Sequence, residues 1–176
     1  MCRWWGSRAT ICALYLVLSN KLLCETNIMN EQYLVILKAN DDSTRWEYPE
    51  GFSYQDAQNK FISAKNMLQN VLRKKLKFET GSHIQDASYH SRILLDIEFL
   101  KSSKEHSQVR FSNFGNMVSF VNEDLIKENI KIDIVQHLLN LGYVYVPEKV
   151  LEEQYTGNNP GVAGIDTWWV RYFEWV

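Results

Sequence analysis

Three runs in the middle of the chain alternate apolar and polar residues, and only short connections separate them. This restricts the fold more than any other feature. Arg92–Leu100 (RILLDIEFL) places Ile93, Leu95, Ile97 and Phe99 on one face; Lys101–Ser107 is a polar connection. Gln108–Phe114 (QVRFSNF) alternates again, and Asn116–Val121 (NMVSFV) continues past Gly115. A period of two is the mark of a half-buried strand. Strands joined by short connections pair antiparallel, so the expected centre is an antiparallel meander.

The flanks supply helices and further strands. Tyr33–Ala39 (YLVILKA) is a short apolar run rich in β-formers and is expected as a buried strand. Asn40-Asp41-Asp42-Ser43 ends it with turn residues. The loop to Gly51 holds Trp46, Tyr48 and Pro49. Ser53 opens a helix, its hydroxyl capping the amide of Asp56 in a variant of the capping box. Ala57, Phe61, Ala64, Leu68, Val71 and Leu72 then recur at spacings of three and four and form one apolar stripe. Arg73-Lys74-Lys75 is expected in the last turn, where the helix dipole favours cations; that reading outweighs nucleic-acid contact.

Gly81-Ser82 breaks the chain, and residues 83–91 are polar and unassigned. A second helix is expected over Asp124–Leu141, with an interruption near Asn129. Its stripe is Ile134, Leu138 and Leu141, joined by Val135 and Leu139, and Gly142 follows at C′. Tyr143–Val146 (YVYV) is a strand stopped by Pro147, which then serves as N1 of a short helix through Gln154. Thr156–Asp166 is a glycine-rich loop, and Thr167–Val176 (TWWVRYFEWV) reads as a long terminal strand, central in the sheet, with Arg171 paired to a carboxylate. The order β-α-β-β-β-α-β-α-β gives an α+β fold: one domain over residues 29–176, a largely antiparallel sheet, and two main helices packed on one face.

Length and composition fit that reading. The chain has 176 residues, 45% hydrophobic, 23% charged and 13% aromatic, a globular composition with more rings than disordered chains carry. A body of this size buries roughly 70% of its unfolded surface, so it needs no disulfide or metal for stability. All three cysteines, Cys2, Cys12 and Cys24, lie in the first 24 residues. The rest of the chain therefore has no disulfide framework, thiolate zinc site or cysteine nucleophile.

Residues 1–28 read differently from the remainder. Arg3 and Arg8 precede an apolar run, Ala9–Leu18, which suits a secretion signal, but Asn20-Lys21-Leu22-Leu23 offers no small-x-small cleavage site. A lipoprotein signal ending at Cys24 would want a small residue where Leu23 stands. The third reading is a mistranslated extension ahead of a true start at Met29, and the abrupt loss of cysteine favours it. The run is half the roughly 20 residues that a span requires, so no stable membrane insertion is expected. Removing Arg3, Arg8, Lys21 and Glu25 from the count leaves 16 basic and 20 acidic residues, a net charge of −4. A mildly acidic domain is a poor nucleic-acid binder and a suitable partner for a basic protein.

No catalytic motif emerges. Gly157-Asn158-Asn159-Pro160-Gly161-Val162-Ala163-Gly164 superficially resembles a phosphate cradle, but it lacks the Gly-Lys-Ser/Thr ending and leads into a predicted strand. His83, His90, His106 and His137 have no i, i+4 pair, and no serine lies in an elbow or Ser-x-x-Lys context. Asp96 and Glu98 sit two apart, a pairing too common to signal chemistry. No cofactor or metal is expected. Long loops on rigid scaffolds often carry binding, so the candidate partner contacts are Trp46, Glu47 and Tyr48, with Tyr155, Asn158, Asn159 and Asp166.

Val109-Arg110-Phe111-Ser112-Asn113-Phe114-Gly115, Gly142-Tyr143-Val144-Tyr145-Val146-Pro147, Gln154-Tyr155-Thr156-Gly157 and Trp168-Trp169-Val170-Arg171-Tyr172-Phe173-Glu174 together resemble bacterial immunity proteins encoded beside contact-dependent inhibition and other polymorphic toxins. The resemblance covers about 70 residues and transfers no individual residue role. It implies a cytoplasmic, non-catalytic protein that binds and neutralises a cognate basic toxin domain, often a nuclease. Two other readings stand beside it: a small enzyme using His83, His90 or carboxylates, and an exported envelope protein with a real signal at residues 1–24.

Overall fold

The computed structural model describes residues 30–81, 84, 87–102, 105–160 and 167–174. From Leu37 onward they belong to one compact unit. Residues 30–39 form helix α1. Helix α2 covers Tyr54–Leu72, and strands β1 (Lys77–Thr80), β2 (Tyr89–Leu95), β3 (Ser107–Ser112) and β4 (Met117–Val121) follow. Helix α3 (Glu128–Asn140), strand β5 (Val144–Tyr145), and the short helices α4 (Glu148–Leu151) and α5 (Trp168–Phe173) complete the chain. The fold is α+β. One five-stranded sheet runs in the order β1-β2-β3-β4-β5, antiparallel except for the β4–β5 pair.

The meander read from the alternating runs is therefore present, with shifted ends. β2 begins at Tyr89 and stops at Leu95; Ile97–Phe99 turn into a single 3-10 segment with Asp96 before it. β1 has no counterpart in the sequence reading. It is an edge strand with its first two residues exposed, so KFET shows no apolar alternation to detect.

The two main helices pack on one face of the sheet, as the apolar stripes predict. Phe61, Ala64 and Leu68 of α2 and Ile134 and Leu138 of α3 join Ile93, Leu95, Val109, Phe111, Val118 and Phe120 in one core cluster. Leu139, placed on the α3 stripe from sequence, is exposed. The register sets Arg110 opposite Ser119 between those core positions, so both point to the other face, because strand side chains alternate. That face meets α4 and α5. Ser119 donates to the carbonyl of Val146 (2.8 Å), and Arg110 donates to the carbonyl of Phe173 and to Glu174 (2.9 Å).

Local chemistry explains the helix ends. Ser53 accepts from the amide of Asp56 (3.3 Å), as expected of an N-cap. α2 stops at Leu72 because Arg73 is left-handed (φ 51°), so the basic cluster lies beyond the last turn and not within it. Lys74 instead bridges to Glu98 (2.9 Å) and Asp96 (3.6 Å). α3 begins four residues later than Asp124; Glu123–Leu125 form a separate 3-10 turn. Gly142 (φ 73°) supplies the left-handed turn after α3. Pro147 precedes α4 as its N-cap, and the helix ends at Leu151, short of Gln154. Glu148 accepts from the amides of Asn122 (2.8 Å) and Glu123 (2.6 Å), while Glu123 accepts from the amide of Glu148 (2.9 Å). Each carboxylate thus caps the other's segment.

Two expected strands are helices. Tyr33–Ala39 lies in α1, where Glu31, Gln32, Val35, Lys38 and Ala39 share an exposed face at helical spacing. A short unbroken apolar run carries no period that separates a buried strand from a buried helix. Thr167–Phe173 is not a sheet strand: Thr167 makes an isolated bridge to Gln154 and then caps α5, accepting from the amide of Val170 (3.5 Å). Trp168, Arg171 and Tyr172, at i, i+3 and i+4, are buried. Trp175 and Val176 lie outside the described residues. Among the described residues, no helix is long and apolar enough to cross a membrane.

Candidate partner-binding surface

The turn after α1 carries two aspartates, and the first is drawn inward by a distant arginine. Arg171 of α5 donates from Nε to Asp41 Oδ1 at 2.8 Å, and the two side chains are 1% and 2% exposed. The remaining guanidinium hydrogens go to main-chain carbonyls: Trp46 (3.0 Å), Asp42 (3.3 Å) and Arg45 (3.0 Å). Its flat face lies over Phe114, 4.3 Å from the ring centre. A buried charge is tolerable only when its partners are all met. Here one fork of donors ties down the carbonyls of an otherwise irregular loop. The carboxylate pairing expected for Arg171 is thus made, from a helix and not from a strand.

Asp41 Oδ2 faces the other loop. It accepts from the hydroxyl of Tyr155 (2.5 Å) and the amide of Asn158 (2.9 Å). Burial, followed by the bond to Asp41, raises the Tyr155 phenol above its ordinary pKa. Asn159 is nearly buried; its side-chain amide donates to the carbonyls of Asp42 (2.7 Å) and Arg45 (3.0 Å), and its backbone amide donates to the Tyr155 oxygen (3.1 Å). Gly157 has no space for a side chain: a Cβ would stand 2.1 Å from Asp41 Oδ2 and 2.4 Å from the Tyr155 oxygen. The described part of the glycine-rich loop therefore approaches the carboxylate closely, and that is the use of the glycine. On the turn itself, Asp42 Oδ1 accepts from the amide (2.8 Å) and hydroxyl of Thr44, and these bonds hold its carboxyl below the usual range.

The predicted contacts therefore divide. Tyr155 and Asn159 point their polar atoms inward and brace the loops; Asn158 contributes its backbone amide to the same brace. Trp46 and Tyr48 are 40% and 45% exposed, and Glu47 between them is exposed as well. Asp166 lies outside the described residues. The sequence reading missed the two residues at the centre of the arrangement, Asp41 and the loop-directed side of Arg171. The available signal was an aspartate pair in a turn together with one arginine inside an aromatic run.

A half-buried ring, Phe52, links two exposed ones, Tyr48 and Tyr54. Tyr48 stacks on Phe52 (ring centres 5.9 Å), and Phe52 meets Tyr54 edge-on (6.5 Å). They open onto a cavity of about 280 Å³ lined by Glu47, Tyr48, Phe52, Tyr54, Ile84, Ala87, Tyr89, His90 and Asn113. His90 and Asn113 also border a neighbouring cavity of about 310 Å³, near the start of α2, with Ser53, Asp56 and Lys60. His90 occupies the bulge in β2, where the pairing with β3 slips between Tyr89 and Ser91, and a bulge re-aims its residue. Burial pushes its pKa down to about 4, so the ring is neutral at pH 7. Its Nδ1 shares a hydrogen bond with Ser91 Oγ (2.8 Å), which also meets Thr80 Oγ1 (2.9 Å). Ser91 is wholly buried, so this pair holds the bulge and offers no hydroxyl to solvent.

His83 lies outside the described residues, as does any site that would combine it with His90. Among the described residues, no three histidine, cysteine or acidic side chains are grouped as metal ligands. Compared with protein-family models, with curated proteins and with solved structures, the chain gives no match in any of the three.

Proposed function

We propose that this protein is a non-catalytic binding module, and more narrowly a cytoplasmic immunity protein that neutralises a cognate basic toxin domain. One observation carries the first part. Trp46 and Tyr48 stand exposed on a loop whose carbonyls are fixed from beneath by a buried arginine–aspartate pair. A loop with no regular structure would normally lose conformational entropy on binding. Pinned in advance, it loses little, and tryptophan, tyrosine and arginine are the residues that most often dominate interface energies. The immunity reading adds the resemblance of the C-terminal half and the net charge of −4 over residues 29–176, which favours a basic partner.

The test is co-expression with the toxin encoded immediately upstream of the gene, followed by calorimetry of the purified pair. Protection of the cells and a 1:1 complex are expected. Trp46→Ala and Tyr48→Ala, both surface changes, each weaken the complex by tenfold or more, about 1.4 kcal/mol. A chain that neither protects nor binds any neighbouring toxin removes the immunity reading; full affinity in both variants removes this loop as the contact.

A further inference from the structure

β1 is the outermost strand of the sheet and, among the described residues, pairs with β2 alone. Its outer main-chain groups are therefore open to another strand. Of its four residues, Phe78 points to one face and Lys77 and Glu79 to the other, because strand side chains alternate. Three of these side chains are only partly used. Phe78 meets the ring of Phe61 (ring centres 5.9 Å) and has the ammonium of Lys65 4.4 Å from its centre, yet it is 40% exposed. Lys77 is exposed and makes no ion pair among the described residues. Glu79 bonds to Arg92 through Oε2 alone (Nε at 2.7 Å), on a side chain 36% exposed to solvent. Its other oxygen, Oε1, is left for a further donor.

We propose that β1 pairs antiparallel with β1 of a second copy of this chain, about a twofold axis beside Phe78, and so joins two five-stranded sheets into one. The pairing goes beyond the binding role proposed above and does not depend on it. With Phe78 opposite the second copy's Phe78, antiparallel register sets Lys77 opposite the second copy's Glu79, and Glu79 opposite its Lys77. Residues directly opposite have their Cβ atoms about 5 Å apart, within reach of both ring and ion-pair contact. One register therefore answers every open group: the two rings cover each other, Lys77 gains Oε1 of Glu79, and the outer main-chain groups gain partners. Charge selects a second copy as the occupant. A strand built to resist self-pairing would carry like charges at positions 77 and 79, which the same register would set against each other. Opposite charges two residues apart make the edge complementary to itself, as a twofold contact requires. The seam is short, so the dimer is weak, half-formed at about 0.1 mM chain.

The experiment is analytical ultracentrifugation of the full chain over a range of concentrations, with hydrogen exchange read at the amides of residues 77–80. A monomer–dimer equilibrium is expected, with exchange at β1 slowing as the dimer forms. Lys77→Glu, an exposed change that leaves the Arg92–Glu79 pair intact, puts like charges across the seam and weakens the dimer at least tenfold. Glu79→Lys does the same from the other side, and circular dichroism checks that both variants are folded. An equimolar mixture of the two variants restores opposite charges at both positions, and its heterodimer forms within threefold of the native affinity. A chain that stays monomeric up to about 1 mM overturns the proposal. So does a dimer indifferent to Lys77→Glu, or one that leaves β1 exchange unchanged. If β1 is protected only when a different protein is bound, the edge takes a foreign strand and self-pairing is rejected.

Discussion

Arg171 concentrates more of this structure in one side chain than any other residue. It pairs with Asp41, both side chains being buried, and holds three loop carbonyls. Removing one partner of a buried pair leaves the other charge uncompensated, which costs about 3–5 kcal/mol. Arg171→Met should lose that much in urea denaturation. The double variant with Asp41→Asn should lose clearly less than the two singles summed, because they share one interaction. Additive losses would show that the pair is not coupled. His90 makes a different demand. Its folded pKa of about 4 lies below the roughly 6.5 of an exposed histidine. Between those values the unfolded chain binds more protons than the folded one. This contribution to stability is therefore fully present above about pH 6.5 and is lost as pH falls towards 4, at up to about 1.4 kcal/mol per unit. Denaturation at pH 7, 6 and 5 should show the decline, and His90→Asn should flatten it.

Among the elements, those with a strong period were legible and those with a short apolar run were not. α2 shows Phe61, Ala64 and Leu68 recurring at spacings of three and four behind a serine cap, and both features are present in the structure. Ser53→Ala should lower stability by about 1 kcal/mol through the lost cap, a shift readable in the thermal midpoint; no change would mean that the first turn is held by tertiary contacts alone. Residues 33–39 and 167–173 were misread for one reason. Their apolar residues fit a strand face and a helix face almost equally well, and which face is buried depends on what lies against them. For α5 the deciding contacts are far away in sequence: Tyr172 donates to the carbonyl of Leu37 (2.6 Å), and Arg171 reaches Asp41. No local pattern encodes a partner 130 residues distant.

At the scale of the whole molecule, charge is the property most directly read from composition. With an acidic balance and a basic partner, association should be steered by long-range attraction. On the proposed function, the association rate with a basic toxin domain should fall severalfold between 50 and 300 mM salt, while dissociation changes little. Stopped-flow measurement would detect this, and a salt-independent rate would remove electrostatic steering from the account. The candidate surface was half legible at this scale. Both loops were visible as irregular, ring- and asparagine-bearing segments. Their convergence was not visible, because it depends on Arg171, which sequence placed on a strand.

The sequence by itself determined the antiparallel centre, the two amphipathic helices that cover one face, the cysteine-free body and the acidic balance. Each follows from periodicity or counting, which are local or global sums over the chain. Tertiary structure alone decided which apolar runs became helices, that Tyr155 and Asn159 face inward while Trp46 and Tyr48 face out, and that Asn113 ties the carbonyls of Glu47 and Ala87 together. The physical reason is burial. A polar group's partner is set by whatever else is enclosed with it, and which groups are enclosed together is fixed only when segments over a hundred residues apart are brought into contact.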